Sequence, residues 1–191
     1  MELLVFLTLS LLKMIKLAIL DIDGVMTDGT KYYDRDGNVV QKTFCDKDWT
    51  AIKRLRAVGV EVLVITGDPY NKKILENRNI PVIVNRENGE HKDKSEYLPQ
   101  ILKDYNCTSK EVLYIGDDLF DIEIMRLVGY PFCPSNSPRL VRQTGMVLQG
   151  KGGDNLIVEL FDYLELNKLI PIVQYDQVIS KINELDLKEK F

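Results

Sequence analysis

The apolar residues of this chain come in short unbroken runs. "KLAILDI" (16–22), "VEVLVITG" (60–67), "PVIV" (81–84) and "EVLYIGDD" (111–118) each carry three or more consecutive apolar side chains. A sheet wet on one face needs apolar and polar residues to alternate, whereas an unbroken run suits a strand covered on both faces. Between the runs the spacing turns helical: "DWTAIKRLRAVG" (48–59), "PYNKKILENRN" (69–79), "KSEYLPQILKDY" (94–105, bent or begun late at Pro99), "LFDIEIMRLVG" (119–129) and "DNLIVELFDYLEL" (154–166). "YPFCP" (130–134) and "MVLQG" (146–150) read as further short strands. One exception stands after the first strand, where "TKYYDRDGNVVQKTF" (30–44) alternates around Asp36-Gly37 and reads as a hairpin. Strand–helix alternation of this kind predicts an α/β fold with a mainly parallel sheet between two helical layers.

The polar residues gather where these strands end. Asp21 and Asp23 close the first run, Thr66 and Asp68 the second, and Asp117 and Asp118 the run at "LYIGDD", with Asp121 just beyond. Parallel strands bring such ends to one edge, where ligands of open α/β sheets bind. Carboxylates at the end of a buried strand are costly without a compensating cation. Oxygen ligands without cysteine or histidine suit Mg2+. Turn chemistry explains one Asp-Gly pair, but explains less well two acidic clusters, each behind an apolar run. A calcium loop needs glycine at its sixth position and glutamate at its twelfth. Counting from Asp21 gives Met26 and Tyr32, and from Asp34 Val39 and Cys45, so that motif fails.

Composition excludes several classes. The net charge of −4 gives no general attraction to nucleic acid or to an acidic membrane. Cys45, Cys107 and Cys133 form neither a metal pattern nor a disulfide framework, which points to reduced thiols and a cytoplasmic protein. His91, the single histidine, reads as a solvated surface residue. "MELLVFLTLSLLK" (1–13) is too short to span a membrane, and its lysines follow the apolar stretch instead of preceding it. It reads as a packed helix or, preferably, as an extension before a functional chain that starts at Met14. The expected organisation is an apolar extension (1–13), one domain (14–167) and a tail (168–191) that is either a covering helix or a partner segment.

"DIDGVMTDG", "VITG", "HKDK" and "YIGDDLFDIEIM", in this order, resemble the four motifs of the haloacid dehalogenase-like phosphohydrolases. Alone, Lys94 reads as a solvated helix-start lysine and Thr66 as ordinary strand-end chemistry; their order with both aspartate motifs gives them weight. The resemblance, from about Lys16 to about Leu166, implies a Rossmann-like three-layer sandwich with the hairpin inserted after the first strand. It implies Asp21 as a nucleophile that forms an aspartyl-phosphate and Asp23 as general acid and then base. Thr66, Gly67 and Lys94 would hold the phosphoryl group. Mg2+ would sit on Asp21, Asp23 (through its backbone carbonyl) and Asp117, with Asp118 and Asp121 in support.

A cap domain fits neither between Gly29 and Thr66 nor between Thr66 and Lys94, since both gaps are filled by the elements above. The chain therefore resembles the capless branch, whose members include phosphatases of 3-deoxy-D-manno-octulosonate 8-phosphate and of nonulosonate 9-phosphates. The hairpin and "GKGGDNLIVELF" are similar to that branch, in which the hairpin builds a homotetramer. Two departures stand out. The branch's "TGR" or "TGE" is "TGDPYNKK" here, so Asp68 would repel a substrate carboxylate unless Lys72, Lys73 or a neighbouring subunit compensates; and "FCDKDWTAI" lacks the usual "RDG". The expected activity is hydrolysis of a sugar-acid phosphate, a small molecule, with no nucleic-acid or membrane partner. The alternatives are a phosphatase of a nucleotide or neutral sugar phosphate, or a non-catalytic binding protein. The last would be marked by loss of Asp21, Asp23 or Asp117, all of which are present.

Overall fold

All four residues of Leu17–Leu20 (β1) are fully buried, as an unbroken apolar run at the centre of a sheet should be. Each such large side chain contributes about 1.5–3 kcal/mol on burial, enough to fix where the run's acidic end emerges. The computed structural model describes residues 14–87, 89 and 91–190; the apolar extension at residues 1–13 lies outside them.

After β1 come the hairpin strands β2 (Tyr32–Tyr33) and β3 (Val39–Gln41), then α1 (Asp46–Ala57), β4 (Glu61–Thr66), α2 (Tyr70–Asn77) and β5 (Val82–Val84). A 3-10 turn at Lys94–Tyr97 opens α3 (Leu98–Asp104), and β6 (Val112–Ile115) leads through a turn at Leu119–Asp121 into α4 (Ile122–Leu127). The chain closes with β7 (Tyr130–Cys133), α5 (Arg139–Thr144), β8 (Met146–Val147), α6 (Leu156–Leu166) and α7 (Tyr175–Asp186).

Six strands form one sheet in the order β5-β4-β1-β6-β7-β8, and every pairing is parallel. Leu20 lies level with Val64 on one side and Ile115 on the other, so the residues after β1, β4 and β6 share one edge. Ala18 and Leu20 pack with Trp49, Leu55, Leu75 and Phe161 on one face. Leu17 and Ile19 pack with Leu98, Ile101, Ile124 and Val141 on the other. This is the expected three-layer α/β sandwich, with the hairpin as a separate two-stranded sheet.

The third helical segment starts late, as its proline suggested, and two differences from the sequence reading have local causes. The third helical segment begins as a 3-10 turn, capped by Asp93, whose side chain accepts from Ser95 N at 2.8 Å; the α-helix proper then carries Pro99 in its first turn, where a missing N–H does no harm. β6 stops at Ile115, because Asp117 and Asp118 turn their N–H groups to the Asp121 carboxylate. Helix α5 was not expected: it has six residues, of which only Val141 is buried, too short for a periodicity to show. The tail forms α7 and packs on its own chain, with Lys53 paired to Asp186 and to Glu189, and Lys190 N bonded to Asn77 O.

Candidate active site

The strand-end carboxylates converge as two groups. The inner one is built on the buried Lys94, delivered by the 3-10 turn that precedes α3. Its ammonium donates to Asp21 Oδ2 at 2.8 Å, Asp121 Oδ1 at 2.7 Å and the Tyr114 hydroxyl at 3.1 Å. Tyr114, on β6, in turn donates to Asp121 Oδ1 at 2.6 Å. The other oxygen of Asp121 accepts the N–H groups of Asp117 and Asp118, both at 2.9 Å. Asp21 Oδ1 accepts from Ile22 N at 2.7 Å.

Oxygens of Asp21, Asp117 and Asp121 lie within 4.8 Å of one another. Burial, and then the charges of Asp21, Asp121 and Asp118, push the Asp117 carboxyl up to about 8. Burial also raises Asp21 to about 6, against the pull of Lys94. Burial opposes the charge on Lys94, but Asp21 and Asp121 outweigh it and hold its pKa above the usual lysine value. Three carboxylates face a single ammonium, an imbalance that a hard divalent cation would correct. Hydrogen bonding divides their roles. Asp121 accepts four hydrogen bonds and has little capacity left. The Asp117 carboxylate accepts none among the described residues, so it and Asp21 keep more free lone pairs for a cation than Asp121 does. Gly24 makes room for this: at φ +82, a Cβ there would fall 2.0 Å from Asp117 Oδ2. Gly152 is pressed as closely, since its Cβ would fall 1.9 Å from Gly24 O, so the glycine-rich turn before α6 braces the loop after β1.

The outer group is built on a second buried lysine. Lys42, just past β3, donates to Asp23 Oδ1 at 2.7 Å, Asp68 Oδ2 at 2.8 Å and Asn71 Oδ1 at 2.8 Å. Asn71 donates to Thr66 Oγ1 at 2.8 Å and to Asp23 Oδ2 at 3.2 Å. Lys31, at the other foot of the hairpin, pairs with Asp68 at 2.7 Å and with Asp23 at 3.6 Å. Burial would raise Asp68, but the hydrogen bonds from Lys31 and Lys42 hold it at about 2.

Of the residues read from the sequence, Asp21, Lys94, Asp117 and Asp121 thus meet directly. Asp118 caps the turn after β6 by accepting from Leu119 N at 2.7 Å. The carboxylate of Asp23 faces Lys42 instead of the inner cluster. Thr66 is fully buried beneath Asn71, and Gly67 lies on the cavity wall. Asp68 does not await Lys72 or Lys73: Lys31 and Lys42 offset its charge, while Lys72 turns to Glu87 at 3.4 Å. The reading missed Lys31, Lys42, Asn71, Tyr114 and Arg86. The only sequence sign of the first two is a lysine at each foot of the hairpin. The carboxylates of both groups, with Lys31 and Lys94, line one cavity of about 510 Å3, a size that suits a small-molecule ligand.

A family model of haloacid dehalogenase-like hydrolases matches residues 88–146. The 3-deoxy-D-manno-octulosonate 8-phosphate phosphatase KdsC of Yersinia pestis is 32% identical over 153 residues, 80% of each chain. The chain belongs to the haloacid dehalogenase-like phosphatases. Among solved structures, the cobalt-bound form of the deoxy-D-mannose-octulosonate 8-phosphate phosphatase YrbI of Haemophilus influenzae superposes with a TM-score of 0.72 at 29% identity, over 81% of this chain and 90% of that one. The 3-deoxy-D-manno-octulosonate 8-phosphate phosphatase structure from Yersinia pestis gives 0.69 at 26% identity, over 90% and 84%. This haloacid dehalogenase-like phosphatase is therefore a phosphoric monoester hydrolase, and it matches the capless branch that its gap lengths suggested. No helix among the described residues is long and apolar enough to cross a membrane.

Proposed function

We propose that this phosphatase hydrolyses 3-deoxy-D-manno-octulosonate 8-phosphate, or a sugar-acid phosphate closely similar to it, with Mg2+ and through an aspartyl-phosphate on Asp21. The observation that carries the reading is Asp21 held by Lys94 beside the free carboxylate of Asp117 at the end of β1. The similarity to KdsC supports the substrate, and the three-carboxylate cluster supports the metal. When bound by Asp21, Asp117 and the Asp23 backbone carbonyl, Mg2+ would supply positive charge between carboxylate and phosphate.

The chain's own groups perform the rest. Lys94 neutralises charge on the phosphoryl oxygens and fixes the orientation of Asp21. The buried Thr66 hydroxyl accepts from Asn71 and from Asp68 N, and so fixes the start of the loop whose Gly67 lines the cavity where the phosphoryl oxygens would lie. An Asp21 oxygen attacks phosphorus, the ester P–O bond breaks, and the leaving alkoxide takes a proton from Asp23. Asp23 then accepts a proton from water, whose oxygen attacks phosphorus; the bond to Asp21 breaks and inorganic phosphate leaves.

The exposed hairpin residues Tyr32, Tyr33 and Val40 support a homotetramer as the working form, built on the face that would otherwise stay open to water. The free thiols Cys45, Cys107 and Cys133 support a cytoplasmic setting. The test of the function is turnover on a panel of phosphate esters with and without Mg2+. Highest kcat/KM on the sugar-acid phosphate is expected. Higher efficiency on nucleotides or neutral sugar phosphates would overturn the substrate, and full activity in chelator would overturn the metal.

A further inference from the structure

The proposed substrate carries a carboxylate remote from its phosphate, and that anion needs a cation in a cavity rich in aspartates. Three cations line the cavity: Lys31, Arg86 and Lys94. Lys94 is held by Asp21 and Asp121, and Lys31 by Asp68 and Asp23. Among the described residues, Arg86 is the lining cation that pairs with no carboxylate.

Its placement is built into the sheet. Arg86 follows β5, the neighbour of the strand that carries Thr66. The residue before it, Asn85, is buried and tied on both sides: its N–H bonds Thr66 O at 3.0 Å, and its side-chain amide bonds Lys92 O at 2.8 Å. The Arg86 guanidinium lies over the Phe120 ring, 4.3 Å from its centroid, a stack that fixes the plane while leaving edge donors for a two-point contact with a carboxylate. Its stem crosses Gly67, with Cδ 3.3 Å from where a Cβ would stand. The residue after that glycine, Asp68, is committed to the two hairpin lysines, while Arg86 reaches the same wall from the adjacent strand.

We propose that Arg86 is the specificity-determining residue that binds the substrate's carboxylate, from the stretch of cavity wall that it shares with Gly67 and Phe120. This rests on the function proposed above and names the group that reads the sugar acid.

The test compares kcat/KM on 3-deoxy-D-manno-octulosonate 8-phosphate with that on glucose 6-phosphate, which has no carboxylate, in wild type, Arg86→Met and Arg86→Lys, with thermal unfolding checking that each variant folds. The expected result is a wild-type preference for the sugar acid that falls ~10–100-fold in Arg86→Met, through KM more than kcat, with Arg86→Lys between the two. A wild type that prefers the sugar acid and a methionine variant that keeps the preference would overturn the role of Arg86 alone. A wild type with no such preference would overturn the substrate assignment, and the carboxylate role of Arg86 with it.

Discussion

The two buried lysines, Lys94 and Lys42, do opposite things with the same chemistry. Lys94 faces Asp21 and Asp121 from a sheet-anchored turn, and the group it completes still has more carboxylate than cation. Lys42 faces Asp23 and Asp68 from the foot of the hairpin, and with Lys31 it brings two lysines to two aspartates. An excess of negative charge favours a cation, whereas a balanced group is complete in itself. The inner cluster is therefore the centre proposed for phosphoryl transfer, and the outer group orients Asp23, the proposed acid and base, while it ties the hairpin to the body of the molecule.

The largest effect that could break this contrast is at Asp21. Asp21→Asn keeps the shape but removes the anionic nucleophile, and kcat should fall by about a thousandfold or more. Steady-state turnover of an aryl phosphate checks it; a loss of less than tenfold would mean that the inner cluster is not the reacting centre.

Next comes Lys42→Met. The fully buried ammonium is replaced by an apolar chain of similar length, leaving Asp23 and Asp68 without that partner. Because both carboxylates keep some solvent contact, the stability loss should be about 1–3 kcal/mol, below that for a fully buried pair. Activity should drop about tenfold as Asp23 loses its orientation. Urea unfolding and kinetics together decide this: lost activity with unchanged stability would make Lys42 part of the chemistry instead of a fastening.

The two groups should also answer pH with opposite signs. Asp117 and Asp21 titrate near 8 and near 6 in the folded chain, against an ordinary carboxyl value of 3.8. The folded state therefore holds more protons than the unfolded one between about 4 and 8, and stability falls as pH rises through that window. Asp68, held at about 2 from the same 3.8, contributes stability above about 4 that is lost as pH drops toward 2. Thermal unfolding of metal-free protein should show both limbs, and added Mg2+ should raise the midpoint most near pH 8. A midpoint at pH 8 that Mg2+ leaves unmoved would contradict the assignment of the inner cluster.

The smallest effect on the chemistry is expected at the hairpin tip. Tyr33→Glu should shift the protein from tetramer toward smaller species in light scattering, with a few-fold loss of activity. A wild type that is monomeric at micromolar concentration would remove the tetramer from the account.

The same contrast explains what could be read from the sequence. Asp21, Thr66 and Asp117 were legible because each follows a buried run within one or two residues, so the fold class alone placed them together. Lys94 became legible only through its order among the motifs. Lys42 and Asn71 stand 19 and 48 residues from Asp23, and no local pattern announces a pair across such a gap. Asp68 is illegible for the same reason: its partners, Lys31 and Lys42, lie in the hairpin, and the sequence alone does not pair them with it. Arg86 follows a three-residue strand in a polar stretch, and only the neighbouring backbone of Thr66 shows where it points.

The central claim is covalent chemistry on Asp21, and it can be observed directly. Asp23→Asn should still accept the phosphoryl group from an activated aryl phosphate but should lack the base that clears it. Acid quenching followed by peptide mass spectrometry should then find the phosphoryl group on the peptide carrying Asp21, in an amount that grows with Mg2+. A phosphoryl group on any other residue, or none while turnover continues, would contradict the account.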